Sequence, residues 1–280
     1  MEQVLDRQRV RKAFDKSADS YDEAAVLQKE VCSRLLEKLD LMKLSPEWVL
    51  DAGTGTGEAV SVLQTKYKNT NLVLLDLSER MLEKAVTRST LKETHAVCGD
   101  IEALPFADES FDLIFSSLAM QWCNDVGAAL QEFRRVLKPG GLLMFATFGP
   151  DTLKELRASW QKVDNAVHVN AFIDMHDIGD GLLQMGFAEP VMEAETITVN
   201  YGEVDTLMQD LRAIGANVTS NGHRQGLLTM NMLSRLREAY EVYRRDGVLP
   251  ASYEVIYGHA WVMNTDETAG PGEVRVEFKD

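Results

Sequence analysis

The chain has 280 residues (31.3 kDa), 45% of them hydrophobic and 26% charged, a length and composition that allow one large core, or one core carrying an insertion, and exclude wholesale disorder. No apolar run approaches the ~20 residues of a helical membrane span. A formal net charge of −15 and a pI near 4.8 make nucleic acid an unfavourable partner, because phosphate backbones repel such a surface.

In chain order, MEQVLDRQRVRK lacks an apolar h-region, so no signal peptide is expected. Cys32, Cys98 and Cys123 are too widely spaced for a disulfide framework or a zinc site, and a reduced cytoplasmic compartment is the expectation. Residues 3–40 read as helical. From about 48 to 148 the short apolar runs WVLDAG, NLVLLDLS, HAVCGD, FDLIFSS and GLLMFATF read as strands. Helical patterns lie between them at 57–67, 79–89 and 125–137, the last closed by the breaker KPGG at 138–141. Such alternation predicts a parallel sheet covered on both faces, an open doubly wound α/β domain.

Beyond residue 150, DTLKELRASWQKV is helical and DMHDIGDGLLQMG is a helix stopped by Gly186. VMEAETITVNY alternates as a strand, and so does SYEVIYGHAWVM at 252–263. Between these strands residues 203–246 are helical, interrupted near IGANVTSNGHRQG. The expected organisation is a helical cap over 1–45, a core over 46–200 and 251–264, a helical lid over 201–250 and a loose tail over 265–280.

VLDAGTGTG at 49–57 holds the first functional signal. A glycine-rich loop after the first strand lets backbone approach a ligand and adopts positive φ without penalty. A dinucleotide fingerprint would read G-x-G-x-x-G. Here Gly53, Gly55 and Gly57 form G-x-G-x-G, which opposes a nicotinamide oxidoreductase. Two more acids, Asp76 and Asp100, close the second and third strands. Asp76 suits a grip on two ribose hydroxyls and Asp100 an adenine amino group, although each is also placed to cap a helix.

The D-x-G-x-G-x-G form, with DIEALPFADESFDLIFSSLAMQWC and LKPGGLLMFATFG, resembles the class I S-adenosylmethionine (SAM) methyltransferases over about 100 residues. The resemblance implies a Rossmann-like fold with a seven-stranded, mostly parallel sheet, helices on both faces, the N-terminal cap, and the lid between the last two strands. It implies SAM as cofactor, held by Asp51, Gly53, Thr54, Gly55, Gly57, Asp76, Leu77, Met81, Asp100, Ile101 and Ser117. FDKSADSYDEAA resembles the segment that closes over the cofactor in these enzymes, which brings Tyr21 near the SAM carboxylate or else into core packing. Neither an NPPY-like tetrad nor a His/Glu pair at metal spacing is present, so no metal is expected.

The segments SSLAMQWCNDV, TFGPDTLKELRASW, HVNAFIDMHDIGDGLLQMGF, PVMEAETITVNY, LMQDLRAIGANV and YEVIYGHAWV are similar to the BioC family of malonyl-acyl-carrier-protein O-methyltransferases over nearly the whole chain. That implies attack of a malonyl thioester's free carboxylate on SAM, giving a methyl ester that primes pimeloyl synthesis for biotin. The carboxylate is already ionised, so no catalytic base is expected. A cation is needed to orient it: Arg212 first, then His168, His176 or His259. Gln121, Trp122 and Phe172 are expected walls of the acyl pocket.

Two basic islands interrupt the acidic chain. Residues 7–16 and 211–245 each carry a local excess of four positive charges. Arg9, Arg11 and Lys12 in the first, with Arg224, Arg235, Arg237, Arg244 and Arg245 in the second, form the expected surface for an acidic acyl carrier protein; solvated helix faces are the plainer alternative. Two other functions share this core: a carboxyl methyltransferase acting on a small-molecule acid of the aconitate type, and a non-catalytic SAM-binding adaptor.

Overall fold

The structure, a computed structural model, describes residues 4–89, 94–216 and 229–263. The N-terminal region is three helices: α1 (Arg7–Ser17), α2 (Tyr21–Ala24) and α3 (Val26–Leu39). The Asp6 carboxylate accepts from the backbone N–H groups of Gln8 and Arg9 and starts α1. A non-helical Ala25 (φ −81°, ψ 40°) separates α2 from α3. Leu27, Val31, Leu35 and Leu39 recur every four residues along α3 and are buried, which docks the helix on the sheet.

Five parallel strands follow, β1 (Trp48–Ala52), β2 (Asn71–Asp76), β3 (His95–Cys98), β4 (Phe111–Ser117) and β5 (Leu137–Phe148). They alternate with α4 (Val60–Lys66), α5 (Glu79–Arg88) and α6 (Val126–Val136), and two further helices, α7 (Lys154–Gln161) and α8 (Met175–Gln184), precede β6 (Phe187–Tyr201). Next come α9 (Val204–Ala213), α10 (Met230–Glu241) and β7 (Leu249–Val262), which pairs antiparallel with both β5 and β6. The order is β3-β2-β1-β4-β5-β7-β6, so the sheet has seven strands and is mostly parallel, as the family resemblance implies. α9 and α10 lie between the last two strands.

Alternation along the central strands divides the core. Val49, Leu74, Phe115 and Met144 face the cluster that includes α3 and the lid residues Leu207 and Leu236. Leu50, Leu75, Ile114 and Leu143 face the cluster with Phe133 of α6 and Leu182 of α8.

Some boundaries differ from expectation. The helix expected at 57–67 begins at Val60, because residues 53–59 form the turn that the glycines open. KPGG does not lie outside the sheet. It enters β5 through a bulge, the register stepping from Phe111↔Leu137 to Leu113↔Leu142 with Gly140 at φ +76°. β6 starts four residues before Val191, and its register shifts between Ala188 and Val191. α7 starts at Lys154, after Leu153 has adopted φ +54°. Among the described residues no helix is long and apolar enough to cross a membrane. The expected tail at 265–280 lies outside the described residues.

Candidate active site

β1 has β2 on one side and β4 on the other, so the chain's direction of winding reverses there. Such a reversal opens a crevice beyond the strands' carboxyl ends. Asp51, next to last in β1, lies on the core side of this crevice at 2% exposure, its carboxylate accepting the Thr54 hydroxyl at 2.6 Å. The N–H groups of Gly53 and Thr54 donate to Leu75 O at 2.8 and 3.0 Å, which pins the loop to β2.

Each loop glycine has positive φ, for three different reasons. A Cβ on Gly53 would overlap Ala119, so β4's following turn approaches it closely. A Cβ on Gly55 would enter open space inside the crevice. On Gly57 it would lie 2.8 Å from the Cα of Ala85 in α5. Gly57 therefore lets α5 pack against the turn and does not line the cavity, contrary to the expectation that it contacts cofactor.

Asp76, at the tip of β2, accepts from the backbone N–H of Gly55 at 2.9 Å and of Ser78 at 2.8 Å. Ser78, not Asp76, caps α5, its hydroxyl accepting from Met81 N. Burial pushes the Asp51 carboxyl up to about 7 against the Thr54 hydrogen bond, with Asp76 adding repulsion. Burial likewise raises Asp76 to about 6, opposed by the Ser78 and Gly55 N–H groups. Two carboxyls held near neutrality in one crevice form a site that gains by receiving positive charge.

The N-terminal helices close this half. The Tyr21 phenol is pushed up by burial and by Asp76 and Asp22, and it lines the cavity. Asp22 accepts from Thr56 of the glycine loop and from Arg88, both at 2.6 Å. Burial opposes the ionised Asp22 carboxyl, but Thr56 and Arg88 outweigh it and hold the pKa low. Arg7 of α1 pairs with both Asp100 and Glu102 at the tip of β3. Leu77, Met81, Ile101 and Ser117 also line the cavity, as does Lys29, which donates to Asp22 O at 2.6 Å. Arg7 and Lys29 escaped the sequence reading. Ala25, Lys29 and Cys32 at helical spacing behind Asp22 were a usable signal; Arg7 carried none, since its partners are about ninety residues away.

The same cavity extends past Gln121, Trp122 and Phe148 to the loop before α8 and to the lid. Phe148 meets Phe172 edge-on at 5.7 Å and Phe14 of α1 meets Trp122 at 5.1 Å. Leu211 and Ile214 of the α9 region, with Tyr253 of β7, complete this more apolar half. His168 lines it too, its Nε2 2.8 Å from Asp164 and its ring stacked 3.8 Å from Trp160.

Three expected cations lie elsewhere. Arg212 is exposed and off the cavity, because α9 presents Leu211 inward and the next residue outward. His176 is exposed beside Asp174, and His259 lies on β7 opposite Met144 and Val191, its pKa lowered by burial. The second basic island is also altered by local pairing. Arg237 forks onto Asp205 at 2.7 and 2.8 Å, and Arg244 binds Glu241 and the carbonyls of Gly202 and Gly247. Arg235 and Arg245 are exposed and bond main-chain carbonyls; Arg224 lies outside the described residues. In the first island Arg9 and Lys12 are exposed, and Arg11 lies 3.6 Å from Glu79. Among the described residues no group of three or more His, Cys, Asp or Glu side chains is placed to hold a metal ion.

A family model described as a methyltransferase domain matches residues 50–145, the stretch that builds the glycine loop and β1–β5. The fold is similar to that of the YcgJ protein of Bacillus subtilis, with a TM-score of 0.60 at 17% identity over 84% of this chain and 99% of that one. It is also similar to phosphoethanolamine N-methyltransferase 2 of Haemonchus contortus, solved with S-adenosylhomocysteine, with a TM-score of 0.54 at 17% identity over 89% of this chain and 58% of that one. By sequence the chain is 51% identical over 287 residues to a malonyl-[acyl-carrier protein] O-methyltransferase of Gallionella capsiferriformans, covering 99% of this chain and 98% of that protein. It is 48% identical to the protein of that name in a Methylovorus species, over 99% and 96%. The match runs through cap, glycine loop and lid alike, and the chain belongs to the malonyl-[acyl-carrier protein] O-methyltransferase family.

Proposed function

We propose that the protein transfers the methyl group of SAM to the free carboxylate of a malonyl thioester on acyl carrier protein. The observation that carries this reading is one cavity with two chemistries: a half bordered by the acids of three strand tips, continuous with an apolar half roofed by the lid. Near-full-length similarity to enzymes of that name supports it.

The residues fit the cofactor. Asp76 is an acceptor for two ribose hydroxyls, and Asp51 a counter-charge for the ammonium. The open space at Gly55 admits the methionine moiety, with Tyr21 and Lys29 facing its carboxylate. Ile101, Leu77 and Met81 provide apolar contact to the adenine, and Asp100 accepts its amino group. When bound, SAM supplies an electrophilic methyl on a cationic sulfur.

A malonyl carboxylate oxygen is the nucleophile and needs no deprotonation at pH 7. The methyl–sulfur bond breaks as the methyl–oxygen bond forms, leaving S-adenosylhomocysteine and a methyl ester with no proton transferred. The protein's work is to hold oxygen and methyl ~3–3.5 Å apart in line and to keep water out. Gln121 and His168 orient the anion, while Trp122 and Phe172 pack around the acyl chain. The ester masks the charge, so that fatty-acid elongation enzymes accept the unit on the way to a pimeloyl chain.

The test is incubation with labelled SAM and malonyl-carrier protein, malonyl-coenzyme A or free dicarboxylates, followed by mass analysis. A methyl ester formed preferentially on the carrier is the expected result. Equal turnover of free dicarboxylates would favour a small-acid methyltransferase, and SAM binding without turnover would favour an adaptor.

A further inference from the structure

A second cavity opens beside the first. Pro150, Arg157, Trp160 and Gln161 line it together with residues 164–169, and it shares His168, Val169 and Phe172 with the main cavity. The two cavities thus adjoin across those three residues. The shared wall belongs to the apolar, acyl half of the site, away from the strand-tip acids.

Two side chains define this cavity's wall. Trp160 is 2% exposed and its Nε1–H has no hydrogen-bond partner. This Nε1–H is closed off from solvent and the indole ring is stacked under His168, so Trp160 serves as cavity wall. Arg157 gives Nη1 to Pro150 O at 2.8 Å and Nη2 to Thr152 O at 3.0 Å, which fixes its guanidinium at the cavity wall. A guanidinium has five N–H donors, so it retains donors after these two bonds.

Next to Gln161 of the cavity wall, Lys162 is exposed at the end of α7, and Arg235 of α10 donates to Lys162 O at 2.7 Å. Among the described residues no carboxylate forms an ion pair with Arg157, Lys162 or Arg235. The acid lining the cavity is Asp164, which holds His168. On a chain of net charge −15, a patch of three such cations is suited to an acidic partner.

We propose that the second cavity receives the phosphopantetheine arm of the acyl carrier, with Arg157 at its phosphodiester, and Lys162 and Arg235 facing the carrier's acidic surface. This rests on the methyltransferase reading above and replaces the wider arginine surface expected from the sequence. The arm carries a phosphate at one end, amides along its length and the malonyl thioester at the other. That order matches a basic rim at one end and the adjoining acyl cavity at the other.

The test compares kcat/KM for malonyl-carrier protein, malonyl-phosphopantetheine and malonyl-pantetheine, with SAM affinity measured for each variant as the check on folding. Lys162→Glu with Arg235→Glu is expected to lower the carrier-to-phosphopantetheine ratio at least tenfold and to flatten its salt dependence. Arg157→Gln is expected to lower the phosphopantetheine-to-pantetheine ratio at least fivefold; if that form does not fold, Arg157→Lys tests the fork with the charge retained. Ratios within twofold of wild type, or equal losses on all three substrates, overturn the assignment. If the wild-type protein esterifies none of the three, the methyltransferase reading falls and this one with it.

Discussion

The carboxylate of Asp76 accepts the backbone N–H of Gly55 at 2.9 Å, so the tip of β2 is fixed against the loop that follows β1. A second bond comes from Ser78 N–H, and a carboxylate, with about four acceptor sites, keeps capacity for a ligand. In Asp76→Asn an amide nitrogen would have to face one of those N–H groups or the ribose hydroxyls. SAM affinity is expected to fall by about 2–3 kcal/mol, on the order of 100-fold. Calorimetry giving a loss under threefold would remove Asp76 from the ribose.

Alanine at the three glycines separates fold from ligand. Gly53→Ala and Gly57→Ala meet Ala119 and the α5 backbone with φ of +79° and +85°, so each is expected to destabilise by about 1–3 kcal/mol. Gly55→Ala adds its methyl to open space and should cost only about 1–2 kcal/mol of stability, while SAM affinity falls further. Thermal unfolding with and without SAM distinguishes the patterns. A Gly57→Ala protein that folds but loses SAM selectively would restore that glycine to the cofactor site.

Cofactor binding is expected to strengthen with pH. Asp51 and Asp76 are raised to about 7 and about 6 from an unfolded value of 3.8. The folded protein thus holds more protons than the unfolded chain, and its stability falls as pH climbs from about 4 through 7. A cationic ligand favours the ionised carboxylates and reverses this penalty. The rise in melting temperature on adding saturating SAM should be larger at pH 8 than at pH 5.5; the opposite order would contradict the assignment of these acids to the ligand's charge.

Arg7 ties α1 to Asp100 and Glu102, and its side chain is 35% exposed. A partly exposed double pair is worth about 1–2 kcal/mol. Arg7→Ala is expected to speed SAM release roughly tenfold in stopped-flow measurements with a small change in melting temperature. An unchanged release rate would mean that the cap does not gate the cofactor.

His168 and Arg212 make a paired test of the substrate anion. Arg212→Ala should leave kcat/KM for malonyl-carrier protein within twofold, since the side chain lies off the cavity. His168→Gln should raise KM at least tenfold with SAM affinity retained. Reversal of the two results would return the arginine to the site through a lid movement.

The cofactor half was legible because its determinants are local: an apolar strand with its acid, a glycine turn and a second strand with its own acid follow one another within about thirty residues. Asp51, Gly55 and Asp76 follow from that pattern without a third dimension. Gly57 misled because one signal, glycine, answers both to ligand approach and to helix packing, and only the distance to Ala85 separates them. Arg212 misled because chemical suitability says nothing of which way a helix is rolled. Arg237 and Arg244 looked like a free basic face, yet the first forks onto Asp205, 32 residues away, and the second pairs with Glu241 just past the end of α10. Arg157 sat in a segment read only as a helix, and its significance depends on the Pro150 and Thr152 carbonyls that fix it and on Arg235 of a helix 78 residues further on.

The roof over the acyl half leaves the sheet after Tyr201 and returns at Leu249, two residues that face each other on one rung of the β6–β7 pair. Its entry and exit are thus neighbours, held by a ladder that zips down to Phe187 and Val262 without it. A segment hung from a closed pair of strands is exchangeable: another could be grafted at the same rung and only the tenant of the acyl chamber would change, while the nucleoside berth at the far strand tips kept its shape.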